Sequence, residues 1–326
     1  MHVFLLLLLM ALPLGARAEL LMGDVNSDGI VSLDDVATLI CYLLSSDDSG
    51  VNLVNADLYQ DSRINLSDVT QLISLVKCMQ DNPETRVFSV NGVEFTMVVV
   101  EGGTFTMGAT PEQGDDAWDN EIPAHEVTLS TFGIGQTEVT QELWMAVMGD
   151  NPSYYSSALG HGDNLLRPVE WVSWDDCQAF IAQLNEITGQ TFRLPTEAEW
   201  EFAARGGNRS RGYKYAGSDS IDEVAWYWID QASAQECIGT KTVATKLPNE
   251  LGLYDMSGNV WEWCQDDYGS YDTQSQTTPT DPNAENTFKV YRGGAWGHEA
   301  RYCRVSARNY SIPDYTIFTL GIRLAM

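Results

Sequence analysis

At 326 residues the chain has room for two domains, one of them large enough for a substantial core. With 46 Asp and Glu against 18 Lys and Arg, its formal net charge of −28 repels phosphate backbones and anionic membrane surfaces. That balance argues against nucleic acid as a partner and favours divalent cations, while an aromatic content of 10% separates the chain from disordered acidic sequences.

The chain opens with an apolar run, Phe4 to Leu14, too short to span a bilayer, followed by the small-x-small pattern Ala16-Arg17-Ala18. This reads as a signal peptide over residues 1–18, cut before Glu19. An exported protein results, whether secreted, periplasmic or on the cell surface. An uncleaved anchor is the alternative. No later stretch is apolar enough for a transmembrane helix. Six cysteines, Cys41, Cys78, Cys177, Cys237, Cys264 and Cys303, fit no zinc spacing, and an even count in an oxidising compartment suggests disulfides.

The next stretch is a two-fold repeat. From Asp24 to Asp35 the sequence has the layout of a calcium loop, with side-chain oxygens at Asp24, Asn26, Asp28 and Asp35, a backbone carbonyl at Ile30, Ser32 at the ninth position and Gly29 at the sharp turn. Leu33, Val36, Leu39, Ile40 and Leu43 then mark one face of a helix, and Leu66, Val69, Leu72, Ile73 and Val76 repeat it. The second loop keeps Asp57, Asp61 and Asp68 but has Tyr59 and Ser62 where a ligand and the turn glycine belong, so it is expected to bind calcium more weakly or not at all. This pair resembles a dockerin domain, a small all-α module of EF-hand type, over residues 19–80. The resemblance implies calcium as cofactor and a cohesin-type or other protein partner, or else a spacer docked on its own chain. Cys41 and Cys78 lie late in the two helices and are candidates to pair.

Residues 81–87 are polar, hold Pro83 and lack periodicity, as a linker does. A larger domain follows over residues 88–326. Phe95 to Val100 and Thr104 to Gly108 read as strands around a Gly-Gly turn, and Val127-Thr128-Leu129 as another. Thr140 caps a helix to about Met148. Ser173 with Asp176 opens a helix whose buried face is Cys177, Phe180, Ile181 and Leu184, and Thr196 with Glu199 opens one more. The rest is Gly-, Asn- and aromatic-rich loop, which calls for metal or disulfide staples.

One run stands out, Gly252-Leu253-Tyr254-Asp255-Met256-Ser257-Gly258-Asn259-Val260-Trp261-Glu262-Trp263. Carboxylates and turn carbonyls beside two tryptophans suit a hard cation. Alternatively, Asp255 caps a turn and Glu262 pairs with a core arginine. His125 reads as structural.

Six blocks occur in order: Glu101 to Gly108, Pro168 to Trp174, Arg193 to Glu201, the run just described, Arg292 to Trp296, and Leu320 to Arg323. Together they resemble the formylglycine-generating enzyme family, whose domain is also called the sulfatase-modifying factor domain. The resemblance implies a mixed α/β, loop-rich fold, a variant of the C-type lectin fold. It places calcium on Asp255 and Glu262 through side chains and on Gly258 and Val260 through carbonyls. A second family calcium site falls on Val224-Ala225-Trp226, where the side-chain oxygen is missing. Family enzymes oxidise a sulfatase cysteine using Cu(I) held by two thiolates, and soft sulfur ligands select that ion. Here Ala295 replaces the motif serine, His298 stands at the first cysteine and Cys303 at the second, in a shortened loop. Copper chemistry is therefore expected to be lost, leaving a role in binding or assembly with a peptide, glycan or sulfatase. The alternative is an oxygen-dependent formylglycine-generating oxidase, with Cys303 and His298 as its catalytic residues. Cys303 is equally a disulfide candidate, with Cys264, and Trp118, Trp226, Trp228 and Trp296 are candidates for an exposed ligand platform.

Overall fold

The computed structural model describes residues 25–27, 33–45, 48–57, 63–66, 68–70, 72–73, 83–228, 238–273, 276–277 and 288–326. The chain divides into two compact units, Met1–Asn82 and Pro83–Met326. The signal-peptide reading, Cys78 and Cys237 lie outside the described residues. No helix among the described residues is long and apolar enough to cross a membrane.

In the first unit, α1 spans Leu33–Ser45 and a single turn, α2, spans Leu53–Ala56. Val36 and Leu39 from α1 meet Val25, Ala56, Val69 and Leu72 in a small core. The expected stripe is therefore only half buried, since Ile40 is 39% exposed and Ile73 45%.

The second unit begins earlier than the linker reading placed it. β1 (Thr85–Val90) pairs with β2 (Val93–Val100) as an antiparallel hairpin. Its turn is Asn91-Gly92, with φ of 49° and 86°. Two left-handed central residues match the right-handed twist of the flanking strands, and Asn-Gly is the pair that reaches that geometry at least cost. β5 (Phe132–Gly135) adds to β2. The two strands around Gly102-Gly103 do not pair with each other: β3 (Thr104–Met107) pairs with β4 (His125–Thr128) in a separate sheet, to which β7 (Gln276–Thr277) adds in parallel. The third sheet has the order β10-β6-β8-β9, formed by Leu320–Gly321, Trp261–Asp267, Lys289–Arg292 and Arg308–Ser311.

The helices form where their caps dictate. In α3 (Gln141–Met148) the Thr140 hydroxyl accepts from the Leu143 amide at 3.1 Å. α4 (Trp174–Thr188) and α5 (Glu197–Ala204) open on reciprocal capping boxes, Ser173 with Asp176 and Thr196 with Glu199. Cys177, Phe180, Ile181 and Leu184 are buried as the pattern predicts. They join one core cluster with Met97, Trp144, Trp261 and Trp263, while α5 buries Trp200 and Phe202 in a second cluster with Val98, Val100 and Leu253. Met97 and Val98, adjacent on β2, thus serve opposite clusters, as the two-residue period of a strand requires. A short helix, α6, spans Ile221–Val224.

Among the described residues the loops between these elements are held by charge rather than by cystine. Arg292, Arg304 and Arg323 are fully buried, each against a glutamate. Arg292 reaches Glu201 and Glu197, Arg308 holds Glu197 at 2.6 Å, and Arg205 bridges Glu201 at 2.8 Å and Glu112 at 2.7 Å. Arg304 takes Glu121 and donates to Ser306 as well. Apart from Arg205–Glu201, one helical turn apart, these pairs join segments from 61 to 183 residues apart, so they do the stapling expected of disulfides. Cys177, Cys264 and Cys303 are instead free, buried thiols, and Cys264 and Cys303 belong to different core clusters. The pairing expected between them is not present.

Candidate functional site

The run from Gly252 to Trp263 turns by repeated left-handed steps, at Gly252 (φ 71°), Asp255 (57°), Gly258 (84°) and Asn259 (56°). Asp and Asn tolerate that region better than other side chains because they hydrogen-bond locally. Gly258 has no substitute, because a Cβ there would sit 2.3 Å from the Trp226 carbonyl oxygen. Its amide donates to Gly293 at 2.8 Å, and the Asn259 amide donates to Trp226 at 2.8 Å. From Ser257 the hydroxyl donates to the Cys303 carbonyl at 2.7 Å, and the Trp261 amide donates to Thr319 at 2.8 Å. The run is where remote segments meet.

Trp261 to Cys264 form the start of β6, and all four are buried. The alternation of Trp261 and Trp263 therefore marks a strand covered on both faces rather than one half-exposed. Glu262 faces away from the indoles and is taken by Arg323, whose Nη2 lies 2.6 Å from Oε1 and whose Nε lies 2.8 Å from Oε2. The Trp200 indole N–H adds a 2.6 Å bond to Oε2. Its pairing with a core arginine is the reading the geometry supplies, and as a calcium ligand Glu262 would share its oxygens with these donors.

Asp255 is different. One oxygen accepts from the Ala244 amide at 2.7 Å, but Oδ1 is buried without a partner. Burial pushes its carboxyl up to about 6, and the Glu262 charge adds to that. Glu138, which the sequence reading missed, lies fully buried close by. It accepts from the Asn259 side chain at 2.7 Å and from the Val260 amide at 3.0 Å. Burial, with the neighbouring charges of Asp255 and Glu262, holds it well above the usual carboxylate range. Three buried carboxylates thus surround one guanidinium, Arg323, and an orphaned carboxylate oxygen remains. Such a donor set suits a hard cation. Among the described residues no three His, Cys, Asp or Glu side chains are grouped to hold a metal by themselves, so the backbone carbonyls of Gly258 and Val260 would have to complete it.

At the shortened loop the chemistry is unlike a copper site. Cys303 ends a 3₁₀ turn (Ala300–Cys303) and is fully buried, with its sulfur pressed so close beneath Gly294 that a Cβ there would lie 2.6 Å away. Burial pushes the Cys303 thiol up to about 12, so the thiolate that metal binding and nucleophilic attack require is scarce at neutral pH. His298 packs against Trp261 and Tyr302, with ring centroids 5.7 and 5.3 Å away, and burial lowers its basicity. One sulfur and one imidazole do not fit a Cu(I) dithiolate.

Of the expected platform tryptophans, Trp228 is exposed at 41%, whereas Trp118 packs on Tyr302 with centroids 4.8 Å apart and Trp226 lies under Lys246. The sequence reading passed over Trp171, 40% exposed, whose φ of 66° places a bulky residue in the left-handed region. Such a backbone costs on the order of 1 kcal/mol and is held by its surroundings. Beside it, Glu170 accepts from the Tyr154 and Tyr155 amides at 3.2 and 2.7 Å, and burial pushes its carboxyl up to about 7. Val224 and Ala225 are both buried. His125 accepts its structural role, its Nδ1 lying 3.2 Å from the Pro123 carbonyl and its ring 4.8 Å from Tyr271.

In the first unit, Asp35 is fully buried and its Oδ1 accepts from the Val25 and Asn26 amides at 2.8 and 3.1 Å, which folds the end of the first loop back on its start. In the second loop Asp68 accepts from the Asn65 amide at 2.9 Å, and Asp57 ends α2. Asp24, Asp28, Ile30, Ser32 and Asp61 lie outside the described residues.

Three small sheets, capped helices and buried Arg–Glu staples around the Gly258 run define a sulfatase-modifying-factor type of domain. Residues 86–326 match the family described as Sulfatase-modifying factor enzyme 1-like domain, and the chain belongs to it. Residues 22–77 match the Dockerin type I domain. Among individual proteins, the chain is 35% identical to the Chaperone protein LppX of Paenibacillus barcinonensis, over 64% of this chain and 81% of that protein. It is 31% identical to the Formylglycine-generating enzyme of Streptomyces coelicolor, over 76% of this chain and 92% of that one. Among solved structures it resembles Treponema denticola variable protein 1, with a TM-score of 0.65 and 33% identity over 75% of this chain and 99% of that chain.

Proposed function

We propose that the chain is an exported, calcium-binding adaptor whose large domain binds an extracytoplasmic peptide, glycan or protein without copper–thiolate oxidation. The observation that carries this reading is the state of the shortened loop. Its single sulfur, Cys303, is sealed beneath Gly294 as a thiol, and its other donor is His298. In the large domain calcium is held by Asp255 and Glu262 with the carbonyls of Gly258 and Val260, and its role there is to offset the buried negative charge that Glu138 adds. In the small domain it is held by the first loop, Asp24, Asn26, Asp28, Ile30, Ser32 and Asp35, with the second loop weaker. The dockerin-type module docks on a cohesin-type or other protein partner, a role supported by its exposed apolar residues Leu44, Val54 and Leu66.

The test is to incubate the purified chain with a Cys-x-Pro-x-Arg peptide, copper and oxygen and to follow the peptide mass. The expected result is an unchanged cysteine and no Cu(I) bound by the protein. Conversion of the cysteine to an aldehyde would establish the oxidase reading instead.

A further inference from the structure

Around Trp171 the second unit gathers six aromatic rings that the features described so far do not use. Tyr154 stacks on Trp171 with centroids 5.4 Å apart and planes 18° apart. Phe318 lies 5.7 Å from Tyr154 and 6.3 Å from Trp171. His161 contacts both Tyr154 and Tyr155, at 5.0 and 4.8 Å, and Trp296 meets Tyr155 and Phe318 at 5.4 and 5.9 Å. A hydrophobic core would bury such a group. Here Trp171 is 40% exposed and held outward by a left-handed backbone, whose amide is tied to the Ile317 carbonyl at 3.2 Å.

Two unmet donors accompany the rings. The Trp296 indole N–H is buried without an acceptor, and so is the Nε–H of Arg167, whose charge acts on both Tyr155 and Glu170. Buried N–H groups seek acceptors, and a cation offers none. An anionic ligand would have to approach a chain of net charge −28. A ligand with an apolar face for the rings and neutral oxygen acceptors at its edge meets both conditions. A pyranose ring is such a ligand, with axial C–H groups on its face and hydroxyls around its rim.

We infer that the Tyr154–Trp171–Phe318 platform, with the donors of Trp296 and Arg167, is a binding site for neutral, unsulfated saccharides. This deepens the binding role proposed above and rests on it, but it is read by a separate measurement. Failure to bind sugar would leave the absence of copper chemistry standing, and peptide oxidation would not bear on sugar affinity.

The full chain is titrated by calorimetry and tryptophan fluorescence with cellohexaose, laminarihexaose and mannohexaose, and in parallel with a chondroitin sulfate hexasaccharide and with tetramethylammonium. At least one neutral hexasaccharide is expected to bind. Trp171→Gly removes the indole while suiting the left-handed backbone, so the expected result is unchanged melting with binding weakened about tenfold or more. Trp171→Tyr keeps a stacking face and is expected to keep most of the affinity. Trp296→Phe keeps the ring and loses the donor, for an intermediate loss. The inference is overturned if no neutral hexasaccharide binds at about 10 mM, weaker than any specific site would be. Stronger binding of the sulfated or cationic probe would overturn it too, as would full sugar affinity in Trp171→Gly.

Discussion

Two buried charge clusters in the large domain differ in balance. Around Arg292 the counts match: Arg292, Arg308 and Arg205 face Glu197, Glu201 and Glu112. Around Gly258 they do not, because Arg323 alone faces Glu262, Glu138 and Asp255. The first cluster is balanced in charge and joins remote segments. The second leaves two carboxyls displaced upward and an oxygen without a donor, a state that an added positive charge would relieve. Buried acidity therefore has two meanings in one domain, and the presence or absence of a guanidinium partner tells them apart.

Breaking each cluster separates these meanings. Arg292→Met is expected to cost about 3–5 kcal/mol, as loss of one partner of a buried pair does, and calcium should not recover it. Arg323→Met should cost as much in chelator, but saturating calcium should restore part of the loss. Urea unfolding followed by tryptophan fluorescence measures both, and every tryptophan lies beyond residue 82, so the signal reports the large domain alone. Equal calcium response in the two variants would erase the distinction between the clusters. Next in size is Glu170. Its ordinary value is 4.5 and its folded value about 7, so the folded chain holds more protons than the unfolded one between these limits. Stability from this group is then lost as pH rises from about 4.5 to about 7, by about 3 kcal/mol in all. Glu170→Gln should flatten that part of the stability–pH curve, and an unaltered curve would refute the assignment.

Calcium at about a hundredfold excess over its dissociation constant should stabilise the tryptophan-reported transition by about 2.7 kcal/mol, and Asp255→Ala should abolish that gain. Unchanged melting of the wild-type chain with and without calcium would sink the site. The smallest effect is chemical. Cys41 is exposed and should react promptly with a maleimide, whereas Cys177, Cys264 and Cys303 should label only on unfolding, as peptide mapping will read.

Caps and helix faces were legible because they are local. Ser173 with Asp176 and Thr196 with Glu199 each lie within four residues, and the stripe of α4 repeats at helical spacing. The β1–β2 hairpin is equally local, but the sequence reading passed over its Asn91-Gly92 turn and placed its first residues in the linker. Glu138 and Trp171 were not legible. Nothing near Glu138 in sequence announces that Asn259 and Val260, more than a hundred residues on, will close over it. Trp171 sits in a stretch that reads as extended, and its outward orientation comes from a backbone turn that no residue pattern requires. For Glu262 the sequence offered two roles, and only the arrival of Arg323 from the last sheet strand's neighbourhood brings the ion pair into being.

The partners of the Gly258 run come from Gln136 and Glu138, from Trp226, Lys241 and Ala244, and from Gly293, Cys303, Thr319 and Arg323. No short piece of chain contains enough of them to hold the run in place. Closing such distant contacts costs loop entropy that the local hairpin and capped helices avoid, so the run depends on the whole domain being assembled. The site that joins the domain together is thus also one that no fragment of the domain can display.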